Sequence, residues 1–68
     1  MTPFERITAQ AKSERPPRKL LITREEVWSV AEDLLRTRTN ERRPLMSWVH
    51  RLDTGRVAVK GVRVKVAG

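Results

Sequence analysis

The chain of 68 residues predicts a small α+β domain: two core helices, then a C-terminal β-hairpin, with a short helix ahead of them. Three observations lead there. Apolar residues recur at helical spacing in two stretches, 24–36 and 45–52. After Gly55 the spacing changes to two. With no cysteine, neither a disulfide framework nor a thiolate metal site can staple the fold, so one compact core has to hold it.

The elements follow in order. Thr2-Pro3-Phe4-Glu5 reads as a helix start, with Thr as N-cap, Pro at the first helical position and Glu three residues after the cap. Phe4, Ile7 and Ala11 form the apolar stripe of a short helix over about 3–12. Ser13 to Lys19 is polar and stiff, because Pro16-Pro17 forbids helix and favours extended backbone. Residues 1–19 are therefore expected to be a basic arm, mobile unless something orders it, and 20–68 the domain proper. Leu20-Leu21-Ile22 is either a strand or a strut into the core.

Thr23-Arg24-Glu25-Glu26 is a capping box leading into a helix to about Arg36, with Val27, Val30, Ala31 and Leu34 as its buried stripe. Trp28 and Leu35 flank that stripe; Trp28 either covers the core or lies exposed for a partner. Thr37 to Arg43 is a polar, basic loop with no apolar period. Pro44 suits the first turn of the next helix, and Leu45, Trp48, Val49 and Leu52 share one apolar face. Met46, Ser47, His50 and Arg51 then point away from the core. Asp53-Thr54-Gly55 ends the helix, Gly supplying the left-handed conformation.

The hairpin is fixed by its own register. With Lys60-Gly61 as a two-residue loop, Val59 faces Val62 and Val57 faces Val64, and Val66 continues their side. Ala58 with Arg63 and Arg56 with Lys65 fall on the other side, giving one dry face and one basic face. The last strand, Val62 to Val66, reads as an exposed sheet edge whose Arg63 and Lys65 guard against aggregation.

Charge is divided unevenly. Of the net +7, residues 1–35 contribute nothing, with six basic and six acidic groups, while 36–68 carry nine basic and two acidic groups. Such an excess on one structural unit is the footprint of a polyanion site. The residues expected to meet nucleic acid are Arg38, Arg42 and Arg43 in the loop, Ser47, His50 and Arg51 on the second core helix, and Arg56, Lys60, Arg63 and Lys65 on the hairpin. Arg42 and Arg43 stand where they and a helix N-terminus attract the same phosphate.

Other chemistry lacks its parts. There is one His, no Cys, no Tyr and no Gly-rich phosphate loop, so no catalytic residue, metal ligand or cofactor is expected. His50 with Asp53 one turn on is better read as a solvated helix surface. Glu25-Glu26 and Glu32-Asp33 read as exposed helix face rather than paired carboxylates. One Phe and no Tyr leave RNA binding without the stacking platforms of single-strand readers. No apolar run approaches the roughly 20 residues of a membrane span, and no signal peptide follows Met1, so a cytoplasmic protein with no membrane partner is expected.

The stretch ITREEVWSVAEDLL followed by PLMSWVHRLDTGRVAVKGVRVKV resembles the small winged helix-turn-helix domains of phage excisionases and MerR-type regulators. The helix opening Ile22-Thr23-Arg24-Glu25-Glu26-Val27-Trp28, the run Trp48 to Leu52 ending at Gly55, and the wing Val59-Lys60-Gly61-Val62-Arg63-Val64 carry the likeness over about 20–66. It implies a winged helix-turn-helix in which Ser47, His50 and Arg51 read the major groove while Lys60 and Arg63 touch the backbone. It further implies a sequence-specific double-stranded DNA-binding protein of a phage or mobile element, an excisionase-like recombination directionality factor or small transcription regulator. Its partners would be DNA, an integrase, or copies of itself on adjacent sites. The rival expectation is a small protein that binds and modulates a host protein through Trp28 and the hairpin edge.

Overall fold

A computed structural model describes residues 2–67. Helix α1 spans Pro3–Ala11, strand β1 Lys19–Ile22, helix α2 Val27–Thr37, helix α3 Leu45–Asp53, strand β2 Val57–Val59 and strand β3 Val62–Val66. A single 3-10 turn, Arg24–Glu26, leads into α2. Three helices and one three-stranded sheet make up a small α+β fold.

The local signals act as their chemistry requires. Thr2 accepts the Glu5 N–H on its hydroxyl oxygen at 3.2 Å, with Pro3 opening the helix behind it. The Thr23 N–H donates to Glu26 Oε1 at 2.9 Å, while the Glu26 N–H bonds the Thr23 carbonyl at 3.0 Å. The Glu26 carboxyl is held below its ordinary 4.5, first by that Thr23 backbone bond and further by the Arg6 guanidinium, although partial desolvation pushes the other way. Beyond the second core helix, the Gly55 N–H bonds Leu52 O and the Arg56 N–H bonds Arg51 O, at 3.2 and 2.8 Å. That pair of bonds is a Schellman motif, with Gly55 at φ +71. At the hairpin tip both Lys60 (φ 52) and Gly61 (φ 84) are left-handed, the conformation of a type I′ turn.

The hairpin register is Val57 opposite Val64, Ala58 opposite Arg63 and Val59 opposite Val62, as the alternation requires. Leu20-Leu21-Ile22 belongs to a strand, which resolves the alternative left open by its short apolar run. This strand, β1, pairs parallel to β3, Lys19 opposite Arg63 and Ile22 opposite Val66, so the sheet order is β1-β3-β2. The expectation that Val62 to Val66 is an exposed edge is therefore corrected: β3 is the central strand. The physical reason is that a lone two-stranded ribbon is marginal, and β1 completes it.

One core joins the whole chain. The inward valines of β2 and β3 meet Ile22, the α2 stripe Val30, Ala31 and Leu34, and Trp48 and Leu52 of α3. Ile7 and Ala11 of α1 are buried in that same cluster, so residues 3–11 of the expected arm are packed. Burial of a side chain the size of Ile contributes about 1.5–3 kcal/mol, enough for a nine-residue helix too short to stand by itself.

Three smaller expectations change. Thr37 closes α2, so the loop runs over 38–44. Pro44 is the N-cap of α3 rather than its first residue, and its carbonyl accepts from Ser47 and Trp48 at 3.0 and 3.3 Å. Asp33, expected on an exposed face, is buried, and Arg36 one turn on pairs with it from a largely exposed position.

Candidate nucleic-acid interface

The loop between α2 and α3 is shaped by its arginines. Backbone bonds from Glu41 N to Arg38 O (3.1 Å) and from Arg43 N to Glu41 O (2.8 Å) tighten it. The guanidinium carbons of Arg38 and Arg43 lie 5.8 and 5.9 Å from the centroid of the buried Trp48 ring, within cation–π reach. Arg38 also donates to the carbonyl of Ala58, capping the free edge of β2. Arg42 is exposed. With Leu35, Glu41 and Pro44 these arginines line an open cup of about 490 Å³ at the head of α3. Glu41 lies 3.6 Å from Arg43 Nε.

On α3 the expected outward trio divides. His50 is exposed, whereas Ser47 and Arg51 are half-buried. Arg51 donates to the Arg56 carbonyl at 3.3 Å, across the turn into β2, so part of its fork is committed to the chain itself. The spacing put all three on one side of a helix; the turn that folds back over the helix end covers one flank. His50 has no hydrogen bond to Asp53 among the described residues, and Asp53 lies instead 3.6 Å from Arg24.

The hairpin cations fall in two places. Lys60 stands exposed at the tip, and Arg56 is exposed just after the Schellman turn. Arg63 and Lys65 are on the outer face of the sheet, turned away from the valines that meet the helices. Eight of the ten expected residues thus form two groups, a helix-side group of Arg38, Arg42, Arg43, Ser47, His50 and Arg51 around the loop and α3, and a sheet-side group of Arg63 and Lys65 on β3, while Arg56 and Lys60 flank β2. Lys19 of β1 belongs with the second and was missed. Its signal was the exposed-buried alternation of Lys19-Leu20-Leu21-Ile22, legible once β1 is a strand.

A separate apolar groove of about 220 Å³ lies between α2 and α3, lined by Val27, Trp28, Met46 and Val49 with Arg24, His50 and Asp53 at its rim. Trp28 is 49% and Met46 62% exposed, so Trp28 takes the exposed of its two expected positions. Met46 was placed outward by its spacing, but its part in an apolar patch with Trp28 depended on how the two helices meet. Among the described residues, no group of three or more His, Cys, Asp or Glu side chains is arranged to hold a metal ion. No described helix is long and apolar enough to cross a membrane. No family model, curated protein or solved structure matches the chain.

Proposed function

We propose that the chain is a sequence-specific double-stranded DNA-binding protein of the winged helix-turn-helix kind, an excisionase-like directionality factor or small regulator that binds without catalysing a reaction. One observation carries this. Of the nine basic residues in 36–68, only Arg36 and Arg43 lie within 4 Å of a carboxylate among the described residues. Of the other seven, Arg42, Arg56, Lys60, Arg63 and Lys65 are exposed, while Arg38 and Arg51 are half-buried and donate to backbone carbonyls. Surface cations gathered on one unit with few carboxylates attract a polyanion, and phosphate neutralisation makes affinity fall steeply with salt. The exposed His50 on α3 is the base-reading candidate, Arg42 in the loop before that helix a phosphate contact, and Lys60 at the hairpin tip the wing contact.

Selection from a random duplex pool at two salt concentrations, followed by sequencing, tests this reading. Enrichment of a short motif, bound far more weakly at the higher salt, is expected. Replacing His50 with Ala then costs about 1–3 kcal/mol of discrimination at one base position, whereas Arg42→Ala weakens all sequences alike. No enrichment and negligible duplex binding at low salt would overturn it.

A second reading draws on the groove beside Trp28 and Met46, which suits an apolar anchor from a protein partner such as an integrase or a host protein. It no longer includes the last strand as a pairing edge, since β3 is central. An interface of that kind tolerates added salt, and a Trp28→Ala variant loses it while keeping DNA affinity.

A further inference from the structure

The outer face of the sheet has a composition that stability does not explain. Side chains alternate across each strand, so Leu20, Ile22 and the five valines point to the helices. Lys19, Leu21, Ala58, Arg63 and Lys65 point the other way, and all five are exposed. No helix covers them, because α1, α2 and α3 all contribute to the one core on the inner side. Three of the five are cations, and the three strands hold no acidic residue. None of the three cations lies in an ion pair among the described residues.

Their arrangement is costly. Lys19 sits directly opposite Arg63 in the register of β1 and β3, and like charges in that relation destabilise a sheet. Edge protection accounts for Lys19 on the edge strand β1 but not for Arg63 and Lys65, which are on the central strand. A single large apolar side chain, Leu21, accompanies them, which is too little for a surface that lies in a membrane interface. What a flat, single-sign face with little apolar area does match is a row of phosphates.

We propose that this face is a second nucleic-acid surface, in which Lys19, Arg63 and Lys65 take backbone phosphates of a duplex segment other than the one facing α3. This rests on the DNA-binding reading above. α3 packs on the inner side of the sheet through Trp48 and Leu52 and leaves His50 exposed, so the sheet lies between that helix and this face, and a straight duplex seated on His50 faces away from Lys19. One chain therefore joins two duplex segments, or holds one bent around it. The face reads no bases; its contribution is uniform across sequences.

The experiment counts duplexes per chain, by native mass spectrometry and titration at low salt, using a duplex of about one and a half helical turns. Wild type is compared with the triple variants Lys19→Ala/Arg63→Ala/Lys65→Ala and Arg42→Ala/His50→Ala/Lys60→Ala, each first checked for a native circular dichroism spectrum. Two duplexes per wild-type chain are expected and one for each variant. The log–log salt slope of total binding should flatten by about 0.9 for each phosphate contact removed. If the sheet variant keeps wild-type stoichiometry, affinity and slope, the second surface is wrong and the DNA-binding reading stands. If the sheet variant loses all duplex binding, the sheet is the only surface, and the assignment to α3 falls together with a second site. Absence of duplex binding by wild type overturns both, as does binding to anionic phospholipid vesicles alone that the sheet variant abolishes.

Discussion

In residues 2–35 six basic groups are matched by six acidic ones, and two arginines are paired inside the domain: Arg6 on α1 reaches Glu26 Oε2 at 3.0 Å, tying the helix to the 3-10 turn, and Arg24 lies near Asp53. In residues 36–67 nine basic groups face two acidic ones, with most cations turned to solvent along the loop, the tip of the hairpin and the outer sheet face. Both regions share one core, so the contrast is not between a folded part and a loose one. It is a division of labour in charge. Pairs in the first region set geometry, since exposed ion pairs contribute only about 0–1 kcal/mol; unpaired cations in the second keep a field for a partner.

The contrast can be tested at its root by removing the part of the first region that anchors it. Ile7→Ala leaves a hole under α1 and should cost about 2–5 kcal/mol in urea unfolding. A change below 0.5 kcal/mol would mean that α1 is a detachable arm after all. On the second region's side, Gly55→Ala forces a side chain into a left-handed position and brings its Cβ within 3.4 Å of Lys65 Cδ. About 1–2 kcal/mol should be lost in thermal unfolding, with duplex binding retained by the folded fraction.

Glu26→Gln separates charge from capping. Because the Glu26 carboxyl titrates lower in the folded chain than in the unfolded one, its contribution is present above about pH 4.5 and is lost as pH falls through its lowered folded value. The Gln variant should be about 0.5 kcal/mol less stable at neutral pH and show a flatter stability profile below 4.5. An unchanged profile would remove the charge from the account. Smallest of all is Lys60→Asn: Lys60 holds φ 52, and Asn tolerates that conformation better. A gain of a few tenths, up to about 0.5 kcal/mol, is expected in stability from urea unfolding, and a loss would mean that Lys60 makes a contact the backbone argument omits.

Much of this was legible because short-range chemistry decided it. The capping sequences at Thr2 and Thr23, the Gly55 stop and the Lys60-Gly61 register involve residues within a few positions of one another. What escaped was long-range. The pairing of Lys19 with Arg63 moved β3 from the edge to the centre, and no local period encodes which strand comes alongside. Asp33 is buried next to the α2 stripe, where helical spacing alone did not place it, and its charge is met by a largely exposed Arg36. Within the candidate site, the type of residue was legible but the division into two groups was not, since only the finished sheet separates Arg63 and Lys65 from His50.

The parallel placement of β1 against β3 also governs when the chain can fold. Among the described residues the first strand pairs with β3 alone, and α2, α3 and β2 lie between the two in the chain. During synthesis neither the hairpin nor the β1 pairing can form until residues 62–66 have left the ribosome, so the sheet is assembled last. Loop closure over that distance must precede the reward of pairing, which lowers the rate of the final step. A nascent chain halted before Val62 would expose Leu20 and Ile22 with nothing to pair against, and would be a target for proteolysis rather than a shorter working domain.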